Sequence, residues 1–301
     1  MYEFLNTMFF QNHPVLIFIA LGLAFSVSVP WAKLSNVLRK YPLTSFFTLA
    51  LGVTWLAFIP YYNSLSAGED GIPWFTFGPM VAGFTMAAVT GGFKRIKSLV
   101  AATFRWKVNP IWYVVAIGVP FATQLFSILL NPLFGSAAPA WGNIPPLTEI
   151  LPMVALFAIF SGPLGEEIGW RGFALPKLLE TRSALAASLM VGSIWAIWHL
   201  PLILVGDFTT YGSFMPVIAA FAFTWVSQNA KGSVLLAILM HASYQNSVRY
   251  LGKVFTDGDY VQQQWLGVGI WVLVIAAILL VYGTKSFTRQ PELRATLIPQ
   301  M

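Results

Sequence analysis

Long apolar runs separated by short charged connections dominate the pattern of this chain. Nine runs can be read, at roughly 14–31, 43–60, 72–91, 109–134, 149–171, 183–205, 213–228, 232–250 and 264–283, most of them near the ~20 residues that cross a hydrocarbon core. They are continuous, whereas a membrane barrel strand would alternate apolar and polar positions. Within lipid every backbone N–H and C=O must be paired, and a helix pairs them inside the segment. The expected fold is therefore all-α, a single integral membrane domain over residues 1–301 built as a polytopic bundle of about 8–9 spans.

The connections give this bundle a direction. Lys33, Arg39 and Lys40 follow the first run, and Lys94, Arg95, Lys97, Arg105 and Lys107 follow the third. Lys177 and Arg182 follow the fifth, Lys231 the seventh, and Lys285, Arg289 and Arg294 the last. The alternate connections carry Glu3, Glu69, Asp70, Glu149, Asp207, Asp257 and Asp259, with Lys253 the exception. Basic residues accumulate on the cytoplasmic side, so the N-terminus is expected outside and the C-terminus inside. Trp31 and Trp106, each close to a lysine, read as interfacial anchors. The first run reads as a span rather than a cleaved signal peptide.

Composition agrees with this picture. Charged residues make up 9% and hydrophobic residues 57% of the chain, against about 25% charged in a soluble domain. The net charge of +6 is accounted for by the basic loops and points to a bilayer, not to nucleic acid. The absence of cysteine excludes disulfides, thiolate nucleophiles and cysteine-ligated metals. The expected location is a prokaryotic plasma membrane; oligomeric state is not encoded in the pattern.

Against this apolar background, the stretch GPLGEEIGWRGF, Gly162 to Phe173, carries three charges inside a run. Each would cost about 2.5–3.5 kcal/mol at the bilayer centre unless something held it. Glu167 and Arg171 are four apart with the acid first, the favourable order for an ion pair on one helix face. Glu166 is turned away by about 100° and is expected to be available for chemistry, in the first turn of a helix restarted by Gly162-Pro163. Two of the three histidines, His199 and His241, also lie within runs. Trp195 shares a face with His199 and is expected to pack on its ring, while Pro201 should free the Ile197 carbonyl nearby. Gln245 shares a face with His241, and Asn246 is turned aside. Counting from a hairpin turn near Thr181 places Glu166 and His199 at nearly equal height. One acid and two imidazoles from three helices are therefore expected around a shared hydrated pocket, opening to the cytosol beside the basic loops. Two other readings compete: a proton relay in a transporter, and a non-catalytic immunity or scaffold protein. No HExxH, GxSxG or Gly-rich phosphate loop is present.

Three segments carry a resemblance. EEIGWR (Glu166 to Arg171), WAIWH (Trp195 to His199) and HASYQN (His241 to Asn246) resemble the three signatures of the CAAX protease and bacteriocin-processing family of intramembrane endopeptidases, which includes abortive-infection-like proteins. Those signatures are EExxxR, an aromatic residue followed four positions later by His, and HxxxN. The resemblance spans about Pro152 to Arg249, so that residues 149–250 form the expected catalytic core. It implies hydrolysis of peptide bonds in membrane-associated or lipidated substrates, in a family that includes the eukaryotic enzymes trimming prenylated CAAX tails. By that resemblance Glu166 and His199 activate a water, His241 and a neighbouring amide stabilise the oxyanion, and Glu167, Arg171 and Trp195 support the site. The family's Asn falls four after the His, where this chain has Gln245; either Gln245 or Asn246, the latter brought round by a local bulge, fills that place. No cofactor is favoured, and the alternative is a zinc site formed by Glu166, His199 and His241 with a water as fourth ligand.

Overall fold

The computed structural model describes residues 31–66, 73–146, 148–149, 152, 158 and 162–289, and among them the chain is helical with no strand. The helices are α1 (Trp31–Lys40), α2 (Pro42–Ser66), α3 (Gly78–Thr103) and α4 (Ile111–Leu130), then α5 (Pro163–Gly169) and α6 (Leu175–Leu179). They continue as α7 (Ala184–Trp198), α8 (Leu200–Leu204), α9 (Thr210–Asn229), α10 (Val234–Asn246) and α11 (Asp257–Tyr282). A π-helical turn, Trp170–Ala174, joins α5 to α6, and a second, Ser247–Leu251, prolongs α10. Nearly all of the first apolar run, the side chain of Trp31, and the residues Glu3, His13, Glu69, Asp70 and Arg294 lie outside the described residues.

The bundle is the expected all-α one. Among the described residues three helices are long and apolar enough to cross a membrane: Pro42–Ser64, Ile111–Phe134 and Asp257–Tyr282. Their outer faces carry Leu56, Val114, Leu273 and Leu280, the last 88% exposed. An apolar surface of this extent suits lipid, not water. Two runs are broken where the sequence carries proline. The run at 183–205 divides at His199 into α7 and α8, with Pro201 in the first turn of α8. In the run at 149–171, α5 starts afresh at Pro163 behind Gly162, whose φ of 124° is a conformation open to glycine.

Short α5 can sit at the centre because its other glycines let backbones approach. A Cβ on Gly165 would lie 2.6 Å from the Thr76 carbonyl oxygen, and one on Gly169 would collide with that of Pro79. This is the small-residue spacing, i and i+4, that membrane helices use for close crossing. Ser183, Thr209 and Ser233 cap α7, α9 and α10 by accepting from the N–H groups of Ala186, Gly212 and Leu236.

Hydrogen bonds between connections define two ends of the bundle. At one, Arg105 donates to the Lys231 carbonyl, Ala184 N–H to that of Lys285, and Asn229 to that of Phe287; Arg95 lies 3.9 Å from Glu180. At the other, Ala137 N–H donates to the Asp259 carboxylate at 3.0 Å, Ala140 N–H to the Val254 carbonyl, and Asn143 to that of Lys253. The first end gathers the basic loops; Asp207, Asp257 and Asp259 belong to the second.

Candidate active site

Glu166, Glu167 and Arg171 are buried, with 3%, 0% and 2% of their surface exposed. As expected, Glu167 and Arg171 pair: Arg171 Nη1 lies 3.0 Å from both carboxylate oxygens and donates to Oε1. The guanidinium is also clamped between two rings, 4.4 Å from that of Trp195 and 4.2 Å from that of Phe223, so its charge meets two π faces as well as a carboxylate. Phe223, on α9, carried no signal in the sequence, being one aromatic residue in an apolar run.

Glu167 does more than neutralise Arg171. His241 Nδ1 stands 2.9 Å from Glu167 Oε1, so the residue expected to be structural also orients an imidazole. A carboxylate accepts, which assigns the hydrogen to Nδ1. Gln245 Nε2 lies 3.2 Å from His241 Nε2; an amide nitrogen donates, which agrees with a lone pair on that ring nitrogen. Asn246 turns back to its own helix, donating to the Ala242 carbonyl at 2.7 Å, and its Oδ1 is buried without a partner. Of the two candidate amides, Gln245 is therefore the one beside His241. The bulge that would have brought Asn246 round is displaced: the π turn begins only at Ser247.

Trp195 has a role beyond the ring contact expected with His199. Its Nε1–H donates to Glu166 Oε2 at 2.5 Å, while its ring stands 6.1 Å from that of His199. The residue lying flat on His199 is Phe208, with ring centroids 4.4 Å apart and planes 16° from parallel. Phe208 sits in the connection after α8, beyond the reach of helical spacing rules. The His199 ring is fixed by its Nδ1, 2.8 Å from the Trp195 carbonyl oxygen, not by the Ile197 carbonyl. The helix tightens at this point: His199 N–H bonds the Ala196 carbonyl three residues back, which releases the Trp195 carbonyl to the ring. A carbonyl only accepts, so Nδ1 carries the hydrogen and Nε2 presents a lone pair.

Two cavities meet at this cluster. One, of about 480 Å³, is lined by His241, Asn246, Tyr244 and Arg249 among others. The other, of about 500 Å³, is lined by Glu166, Tyr61 and Thr76. His199, Asp207, Phe208 and Gln245 line both, so Phe208 and Gln245 stand at the partition. The missing side chain of Gly162 matters here, since a Cβ would come within 2.5 Å of Glu166 Oε1 and 3.7 Å of Gln245 Nε2. Glu166, His199 and His241 thus share one region, as expected. The cavities lie at the end bearing Asp207. Among the described residues no three His, Cys, Asp or Glu side chains are grouped so as to hold a metal ion; Glu166 and His199 both turn to Trp195, and His241 turns to Glu167.

Residues 148–246 match the family described as type II CAAX prenyl endopeptidase, Rce1-like. The chain is also 30% identical over 181 residues to CAAX prenyl protease 2 of Methanococcus maripaludis. Over this segment the chain is similar to the CAAX protease family. The alignment takes in 55% of this chain and 64% of the length of the Methanococcus relative. The segment matched to the CAAX endopeptidase family holds all three clusters described above, from Glu166 through His199 to Asn246. Within this matched segment the glutamine at position 245 is the amide that meets the second histidine.

Proposed function

We propose that this protein is an intramembrane endopeptidase of the CAAX-protease type, hydrolysing peptide bonds of membrane-associated or lipidated substrates without a bound metal. The observation that carries the reading is a pair of acceptors on one cavity. Glu166 and His199 both line the space of about 500 Å³. Each is held by its other side, Glu166 Oε2 by the Trp195 indole and His199 Nδ1 by the Trp195 carbonyl. That leaves Glu166 Oε1 and His199 Nε2 to take the two hydrogens of one water, which orients its lone pair for attack. As the water oxygen bonds to the scissile carbonyl carbon, its proton passes to Glu166. The carbonyl oxygen becomes an oxyanion beside the Gln245 amide, which serves as its N–H donor. The C–N bond then breaks as the proton held by Glu166 is delivered to the leaving nitrogen.

His241 positions the Gln245 amide in this scheme, with Glu167 behind it, and residues 149–250 are the catalytic core. The protein sits in a prokaryotic plasma membrane as a bundle of about 8–9 spans. The test is direct. The purified protein in liposomes, given a lipidated peptide, should release a new carboxyl terminus identifiable by mass spectrometry, and His199→Ala should not. Substrate-dependent proton flux with no peptide product would replace this reading with the transporter.

A further inference from the structure

The two cavities that meet at His199 differ in what lines them. The one of about 480 Å³ carries Arg249 in its wall. Among the described residues no lysine or arginine lines the one of about 500 Å³, whose wall holds the two acids Glu166 and Asp207. Much of the remaining wall is aromatic. Tyr61, Phe75, Trp198 and Phe208 line it, and their rings follow one another. Tyr61 stands 4.9 Å from Phe75, Phe75 6.2 Å from Trp198, and Trp198 4.7 Å from His199, on which Phe208 lies. Hydrogen bonds fix this arc. The Trp198 indole donates to Thr54 Oγ1 at 2.7 Å, and that hydroxyl donates to the Phe75 carbonyl at 3.0 Å. Asp207 is held as well, since its N–H and that of Phe208 both donate to the Leu202 carbonyl. The residue is exposed, and its carboxylate forms no ion pair among the described residues.

We infer that the cavity beside Glu166 receives a cationic side chain, lysine or arginine, of the peptide being cut. A cation is drawn to the faces of aromatic rings, and a carboxylate in the same wall adds its opposite charge. The rings alone would suit an apolar guest equally well. Such a guest would strip water from the Asp207 carboxylate and offer nothing in return, and a charge buried without a partner is costly. A cation removes that cost. Of the two acids Asp207 is the counter-ion, because Glu166 Oε2 already accepts from the Trp195 indole and its Oε1 is the atom that meets water in the scheme above. Resting on the protease reading, this names the substrate class. It is a peptide with a basic residue close to the scissile bond, since Glu166 and His199 line the same cavity. Asp207 and Tyr61 are then specificity-determining residues, and both lie outside the three sequence motifs.

Binding tests this without turnover. The purified full chain, in nanodiscs of uncharged lipid, is titrated against two fluorescent lipidated peptides. One carries a single lysine; the other has norleucine in its place, which keeps the aliphatic chain and drops the ammonium. The lysine peptide should bind about 10-fold more tightly. Asp207→Asn should reduce that ratio to about 3-fold or less, and Tyr61→Leu, which removes a ring and leaves the charge, should lower it too. Equal affinities, tighter binding of the norleucine peptide, no binding of the lysine peptide, or a lysine preference that either variant leaves undiminished overturns the inference. Neither affinity depends on cleavage. Failure of the protease reading therefore shows separately, as the absence of new carboxyl termini from both peptides in the mass-spectrometric assay.

Discussion

Replacing Glu167 by alanine removes the carboxylate that Arg171 holds at 3.0 Å and leaves a guanidinium with 2% of its surface exposed. Removing one partner of a buried ion pair costs about 3–5 kcal/mol, because the remaining charge stays buried. Two features of the site bear on where in that range the loss falls. The rings of Trp195 and Phe223 still face Arg171 at 4.4 and 4.2 Å, an interaction worth about 2 kcal/mol when desolvated, so Arg171 is not wholly abandoned. Against this, His241 Nδ1 loses its acceptor, and a buried unsatisfied donor costs about 1–3 kcal/mol. The two roughly offset, leaving about 3–5 kcal/mol. At about 2 °C per kcal/mol for a chain of this size, the melting temperature of the detergent-solubilised protein should fall by roughly 6–10 °C. Glu167→Gln, which still accepts from His241 and loses only the charge, should fall less. Replacing both members, Glu167→Leu with Arg171→Met, should recover part of the loss, since an apolar pair of similar volume carries no buried charge. A Glu167→Ala protein that melts within about 1 °C of the original would refute the ion-pair reasoning.

Other outcomes follow from the same contacts. Trp195→Phe keeps a ring against Arg171 but removes the 2.5 Å bond to Glu166; a hydrogen bond to a charged group is worth about 1.5–3 kcal/mol, so the melting temperature should fall by roughly 3–6 °C and peptide cleavage should slow by up to roughly 10- to 150-fold. Gly162→Ala puts a methyl against Glu166 Oε1 at a φ of 124°, strain of about 1–3 kcal/mol; both the melting temperature and the initial cleavage rate should drop. Phe208→Ala takes the stacked ring off His199, a contact worth about 0.5–1.5 kcal/mol, and should reduce kcat/KM by up to about 10-fold in the same assay. Exhaustive chelation followed by the cleavage assay should leave turnover intact, whereas loss restored by added zinc would overturn the metal-free mechanism.

The helical class and most runs were legible because hydropathy at a span's length is a cumulative signal, insensitive to any one residue. Pairings along one helix were legible too: Glu167 with Arg171, and His241 with Gln245, follow from the four-residue spacing alone. What escaped were contacts made by chain reversal or between helices. Phe208 reaches His199 from a connection, Phe223 reaches Arg171 from α9, and His241 of α10 turns to Glu167 of α5. The indole of Trp195 was read by its face, where its N–H decides the matter. The walls of the cavities were not legible either: basic loops flank the hairpin in sequence, while Glu166 and His199 sit toward the helix ends remote from that hairpin's turn. Residue types alone did not show where Glu166, His199 and His241 would turn: the first two meet Trp195, and His241 meets Glu167.

The central claim is that Glu166 activates water for peptide hydrolysis, and one comparison tests it most directly. Wild-type protein and Glu166→Gln, reconstituted in matched liposomes and shown to melt alike, are given the same lipidated peptide, and new carboxyl termini are counted over time by mass spectrometry. The isosteric amide can still accept from the Trp195 indole but cannot take water's proton, so the account predicts product from wild type and none above background from Glu166→Gln. Equal rates of product formation would contradict it.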